Sequence, residues 1–253
     1  MRRRRGRFVA GIIVLVLGLT GLAVSGLGVG TQLLPRTFTT AQQKQIMAWE
    51  VGKRWRVLPA GAIFPASVGY KPPDLLADDN SLSLAATRIG IARQASCKAA
   101  VDPAAAQMLD SNGCAALLRA TYVDGTDSYV VTVGVAAFPS AAQADAAQAE
   151  LVASPETGLS GAVRPGVRTA LFAGTPASGF TDGRRQISAS ISDGPYVVLY
   201  TIGYADNRPR VPISADDYAD SEMISMGVGI ANSVANVLGA TPALPHCPGA
   251  PGC

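Results

Sequence analysis

The sequence predicts an α+β protein: an N-terminal transmembrane helix, then an antiparallel sheet with helices packed on one face, of ferredoxin-like character. Three observations carry this expectation. A long apolar run follows an arginine cluster at the N-terminus. Two later stretches, around 117–138 and 186–204, each read as strand, tight turn, strand. Each of these hairpins is followed by a helical pattern, giving a pseudo-repeat of hairpin plus helix at about 117–153 and 186–239.

The first element is the anchor. Phe8 to Gly30 contains no charged residue, and only Thr20 and Ser25 are polar. A helix over those positions rises roughly 34 Å, against a hydrocarbon core of about 30 Å. The segment 8–34 is therefore expected to span a bilayer. Arg2, Arg3, Arg4, Arg5 and Arg7 all lie on its N-terminal side. The positive-inside rule then puts residues 1–7 in the cytoplasm and everything after Leu34 outside, in the plasma membrane's extracytoplasmic space. Signal cleavage near Ser25, releasing a secreted soluble protein, is the competing expectation. Gly21 with Ser25, and Gly26 with Gly30, have the small-xxx-small spacing through which two spanning helices could form a homodimer.

Charge excludes one class of partner. The net charge of the whole chain is +3, but no acid precedes Glu50, and beyond Leu34 there are 16 basic against 18 acidic residues. The globular part thus has no basic surplus with which to neutralise phosphates, and nucleic acid is not an expected partner.

Residues 35–80 form a juxtamembrane region. Thr40 with Gln43 reads as a capping box opening a helix to about Val51. The two tryptophans, Trp49 and Trp55, sit among Lys44, Lys53, Arg54 and Arg56. Such a mixture suits a headgroup interface, although packing against the domain is the commoner use of tryptophan and the one expected here. Pro59, Pro65, Pro72 and Pro73 then predict an extended stretch from Val57 to Asp79, wrapping the domain or running along a sheet edge.

The main domain is expected over 81–240. A first strand at Thr87–Ala95 precedes a short helix opening at Pro103. Asp124-Gly125 turns the first hairpin, and Val131, Val133 and Val135 share one face at period two. Ser140 with Gln143 caps an alanine-rich helix reaching Ala153. Asp193-Gly194-Pro195 turns the second hairpin, whose return strand runs from Tyr196 to Tyr204. A last helix is expected from Ser214 to Gly239, its buried stripe including Met223, Met226, Ile230, Val234 and Val237. Residues 241–253 form a Pro/Gly-rich tail.

All four cysteines, Cys97, Cys114, Cys247 and Cys253, follow the anchor and predict two disulfides, with Cys97–Cys114 and Cys247–Cys253 as one of three connectivities. Residues that could do chemistry are few. The one histidine, His246, lies in the tail, so neither a nucleophilic triad nor a metal site is expected, and no cofactor is called for. Asp124 and Asp127 belong to a turn, and Asp216, Asp217, Asp220 and Glu222 gather at the start of the last helix, where acids favour the helix dipole. Tyr196, Tyr200 and Tyr204 share one face of the last strand; packing in the core or under a covered face is the commoner use of such a row, and a binding face for a sugar or a partner protein is the alternative. Arg184, Arg185, Arg208 and Arg210 flank it in loops.

The stretch Val130-Val-Thr-Val-Gly-Val-Ala-Ala-Phe-Pro-Ser-Ala-Ala-Gln-Ala, a strand followed by Phe-Pro-Ser and an alanine-rich helix, resembles the sensor-like and lipoprotein-like ectodomains of actinobacterial single-pass envelope proteins. The resemblance implies a membrane-anchored α+β ectodomain and transfers no catalytic residue. The resulting expectation is a non-catalytic binding or accessory domain of the cell envelope, with an envelope protein or wall component as partner. The alternative is a hydrolase acting on envelope glycan or lipid through carboxylates such as Asp216, Asp217 or Asp220.

Overall fold

The computed structural model describes residues 37–71, 83–154, 163–211 and 218–245, with side chains in the last stretch from Ser221 onward. The expected membrane helix at 8–34, its arginines and its small-residue spacings lie outside the described residues. Among the described residues no helix is long and apolar enough to cross a membrane. The chain divides into two units, one made of Met1–Met47 with Ala243–Cys253 and the other of Ala48–Pro242, and the division falls inside the first helix, α1 (Thr40–Val57).

In the first unit the helix cap is one residue earlier than expected. Thr39, not Thr40, provides it: the Gln42 N–H donates to Thr39 Oγ1 at 3.3 Å and the Thr39 N–H to Gln42 Oε1 at 3.0 Å. The reciprocal pair satisfies two otherwise orphaned N–H groups, a gain of typically about 1 kcal/mol. Gln43 Nε2 donates to the Pro245 carbonyl at 3.0 Å.

The second unit is built on a six-stranded antiparallel sheet, β1 (Ser67–Tyr70), β2 (Leu84–Ile91), β3 (Ala116–Asp124), β4 (Tyr129–Ala137), β5 (Ile187–Asp193) and β6 (Tyr196–Tyr204), in the order β1-β2-β3-β4-β6-β5. Both expected hairpins are present; within the stretch expected to be extended, β1 runs along a sheet edge, but Ala60–Ile63 is helical. The β5–β6 loop is Gly194-Pro195. Gly194 has φ +55°, and proline's fixed negative φ excludes a type I′ turn, which leaves type II′. β6 inserts between β4 and β5, so that β4 and β5, joined by the helix α5 (Ala141–Ala153), form a split β-α-β unit.

Helices cover both faces of this sheet, not one. Tyr122, Val131, Val133, Val135, Val198 and Ile202 point to a core closed by α6 (Tyr218–Gly239), through Met223, Met226, Ile230 and Val234, and by Ile63 of the short α2 (Ala60–Ile63) with Phe64 beside it. Leu117, Ala136, Val197 and Leu199 point the other way. They meet α3 (Cys97–Ala100), α4 (Pro103–Ser111) and α5 through Leu109, Ala144, Ala147 and Leu151. The physical reason is in β4, whose nine residues are all buried; a strand apolar at nearly every position must be covered twice. The two hairpin-helix segments therefore place their helices on opposite faces.

The second face is completed by irregular chain. Residues 163–186 cross it as a strap, pinned by two buried threonines. Thr121 Oγ1 donates to the Ala170 carbonyl at 2.7 Å and the Ala170 N–H donates to Thr132 Oγ1 at 3.2 Å, while the two hydroxyls lie 3.0 Å apart. Phe172 of the strap lies over Gly90, where an added Cβ would come within 2.4 Å of the ring. On the opposite side of the sheet, Arg54 of α1 donates to the carbonyls of Leu238 at 2.8 Å and Ala240 at 2.5 Å, satisfying the C-terminal end of α6.

Candidate interaction surface

Of the tyrosine row that could have been a binding face or a packed one, Tyr196 and Tyr200 are interior. Tyr196 is fully buried; its hydroxyl donates to the Val51 carbonyl at 2.6 Å and accepts from the Trp55 N–H at 3.4 Å. Tyr200 is 2% exposed and lies flat against Gly227 of α6, where a Cβ would meet its ring at 2.3 Å. Burial pushes the Tyr200 phenol up to about 12. Tyr204 alone reaches the rim, half-buried, with its ring 5.9 Å from that of Tyr129 and the Arg208 guanidinium 4.3 Å above it. The period-two spacing of the three tyrosines is real, but it marks the face that α1 and α6 cover.

The loop arginines are mostly engaged within the chain. Arg184 donates to the Gly179 carbonyl at 2.8 Å, and Arg208 pairs with Asp206, Nε to Oδ2 at 2.7 Å. Arg185 forms a two-pronged pair with Asp102, at 2.8 and 2.9 Å, with side chains only 10% and 21% exposed. Asp102 also accepts the Gly166 N–H at 3.0 Å, so one carboxylate joins the start of α4, the strap and the residue leading into β5. Asp182 accepts from the Thr169 N–H at 2.8 Å and from Arg168 Nε at 2.9 Å. Burial acts to raise the Asp182 carboxyl, but these donors outweigh it and hold the group below the usual carboxylate range.

Among the described residues the carboxylates do not assemble a site. Asp124 accepts from the N–H groups of Thr126, Ser128 and Tyr129 at 2.9, 2.7 and 2.6 Å, and so shapes its own turn. Glu222 hydrogen-bonds Tyr129, whose phenol is raised by burial first and by that carboxylate second. Asp216 and Asp217 lie outside the described residues, as does the side chain of Asp220. No group of three or more potential metal ligands occurs among the described residues. Cys97 and Cys114 form the expected disulfide, Cα–Cα 6.3 Å, which fastens α3 to the start of β3; Cys247 and Cys253 lie outside the described residues. A shallow depression of about 330 Å³ beside it is lined by Lys98, Pro103, Ala106, Gln107 and Asp110 and holds no catalytic arrangement.

What the second unit presents instead is a sheet edge. β5 is the last strand, and it pairs with β6 in unbroken register from Ile187↔Ile202 to Asp193↔Tyr196. Its sequence, Ile-Ser-Ala-Ser-Ile-Ser-Asp, has no proline, no lysine and no charge before the final residue. Sheet edges are ordinarily blunted by such residues or by a bulge, because their unpaired N–H and C=O groups template a further strand. The opposite edge, β1, is four residues long and follows Pro65. Among the described residues, the Gln148 side chain, donating to the Ser190 carbonyl at 3.3 Å, is the contact made to the outer backbone of β5, and no strand pairs there. The sequence signal was the uncharged I-S-A-S-I-S alternation; missing was that β6, not β5, would pair with β4.

Compared with known protein families, curated proteins and solved structures, the chain matches none.

Proposed function

We propose that the protein is a membrane-tethered extracytoplasmic domain of the cell envelope that acts by binding a partner protein rather than by catalysis. The observation that carries this reading is the uncharged edge of β5, with which no further strand pairs among the described residues. An extended segment of a partner would add as a seventh strand, its main chain hydrogen-bonding the outward groups of Ser188, Ser190 and Ser192. Serine side chains leave room beside that strand, and Ile187, Ala189 and Ile191, partly buried at the rim of the core, offer apolar contact on the other face. The tether rests on the apolar run 8–34 and its flanking arginines. A disulfide between Cys97 and Cys114 fits an oxidising compartment outside the cytoplasm.

The test uses full-length protein in native membranes. A photo-reactive residue is placed at Ser190, and in a second protein at the exposed Lys98 on α3 as a surface control. One discrete envelope protein cross-linked from position 190 and not from 98, and lost when Ser192→Pro is added, is the expected result. Equal labelling from both positions, or labelling indifferent to the proline, refutes strand addition.

A further inference from the structure

The outer face of α1 carries a second feature that partner binding leaves unused. Trp49 is 65% exposed and Val57 60% exposed, whereas Trp55, about one and two-thirds turns on from Trp49, packs against the core. The two tryptophans thus serve different ends. The Lys53 ammonium lies 3.8 Å from the centre of the outward Trp49 ring, and the exposed Arg56 carries its guanidinium 4.5 Å from that of the packed Trp55. Trp49, Lys53 and Arg56 are spaced i, i+4 and i+7, which puts them on one side of the helix. Gly52 adds no bulk to this part of the helix, and open space lies where its side chain would stand. Glu50 is the acid in this stretch, and it is drawn toward Lys53 at 3.9 Å.

An indole and cations presented side by side match the headgroup layer of a bilayer, where the amphipathic ring sits at the boundary and the cations meet lipid phosphates. The chain length agrees. Residues 35–39 separate the apolar run from α1 and reach at most about 17 Å when extended, and the helix from Thr40 to Trp49 adds about 14 Å. Trp49 therefore lies within roughly 31 Å of the point where a spanning helix over 8–34 would leave the membrane.

We infer that the Trp49–Lys53–Arg56 face of α1 docks on the anionic phospholipid headgroups of the membrane that anchors the chain. This rests on the tethered reading above and adds a fixed contact to what would otherwise be a loose leash. The full chain offers its own probe, because Trp49 and Trp55 are its only tryptophans. Trp55→Phe leaves Trp49 as the sole fluorophore, and Trp49→Phe leaves the packed Trp55 as control. Each is reconstituted in phosphatidylcholine vesicles containing roughly one-third phosphatidylglycerol, with bromines near the glycerol end of the acyl chains as a lipid-borne quencher.

The expected result is that brominated lipid quenches Trp49 about twofold while aqueous acrylamide quenches it poorly. Adding Lys53→Glu and Arg56→Glu, or omitting phosphatidylglycerol, should abolish the lipid quenching. Trp49 open to acrylamide and blind to brominated lipid, in protein that floats with the vesicles, overturns the docking and leaves the tether standing. Equal lipid quenching with and without phosphatidylglycerol overturns the assignment to anionic headgroups. Protein that does not float with the vesicles refutes the tether, and the docking with it.

Discussion

Asp102 and Arg185 offer the sharpest test of how the strap is held. Substituting Asp102→Ala removes three accepted hydrogen bonds at once, two from the Arg185 guanidinium and one from the Gly166 N–H. It also leaves a guanidinium that is 10% exposed without its counter-ion. Removing one partner of a buried ion pair costs about 3–5 kcal/mol, most of it the stranded charge. With a urea m-value of about 2 kcal/mol/M, the unfolding midpoint should fall by about 2 M. Replacing both residues, Asp102→Ala with Arg185→Met, removes the stranded charge along with the pair, so the double variant should regain at least about 2 kcal/mol over the single one. The assay is equilibrium unfolding followed by far-ultraviolet circular dichroism, with the three proteins measured side by side. A single variant within about 1 kcal/mol of wild type, or a double variant no better than the single, would show that the pair is solvated and that Thr121, Thr132 and the packing of Phe172 hold the strap instead.

Two further outcomes follow from the same structure. Cys97 and Cys114 are 17 residues apart, so replacing both by serine should cost about 3 kcal/mol through the freed unfolded chain, read as a lower melting temperature without reductant; an unchanged melting temperature would refute it. Burial raises the phenols of Tyr122, Tyr129, Tyr196 and Tyr200, the last to about 12, above an unfolded value near 10, so their contribution to stability is full below pH of about 10 and is lost as pH climbs toward the folded value. Absorbance at 295 nm should show at least these four of the seven tyrosines withheld from titration until the chain unfolds, and a complete titration near pH 10 with native circular dichroism would contradict their burial.

The parts of this fold that were legible in the sequence are those decided locally. Asp124-Gly125 and Gly194-Pro195 announce their turns, Ser140 caps α5 by accepting the Gln143 N–H, and Met223, Met226, Ile230 and Val234 mark the buried stripe of α6. What local pattern could not decide was which distant strands meet. β4 pairs with β6 across about 70 residues of chain, from Tyr129↔Tyr204 to Ala137↔Tyr196, and that pairing puts both strands in the centre and β5 at the edge. The same pairing buries Tyr196 and Tyr200, which the spacing of the tyrosines placed on a shared face without saying whether it was covered. The strap was invisible for a different reason. Residues 163–186 have neither helical nor strand period, and their order comes from side-chain bonds to Thr121, Thr132 and Asp102, each contributed by another part of the chain.

The contact of Arg54 with the carbonyls of Leu238 and Ala240 has a mechanical consequence. The polypeptide runs into the domain along α1 and runs out of it at the end of α6, and this guanidinium clasps the way in to the way out. A pull applied between those two points loads the clasp, together with the bonds of Tyr196 to Val51 and Trp55 that hold α1 on the sheet. Arg54→Ala should therefore lower the force at which the domain first yields without altering the force needed to tear the sheet apart.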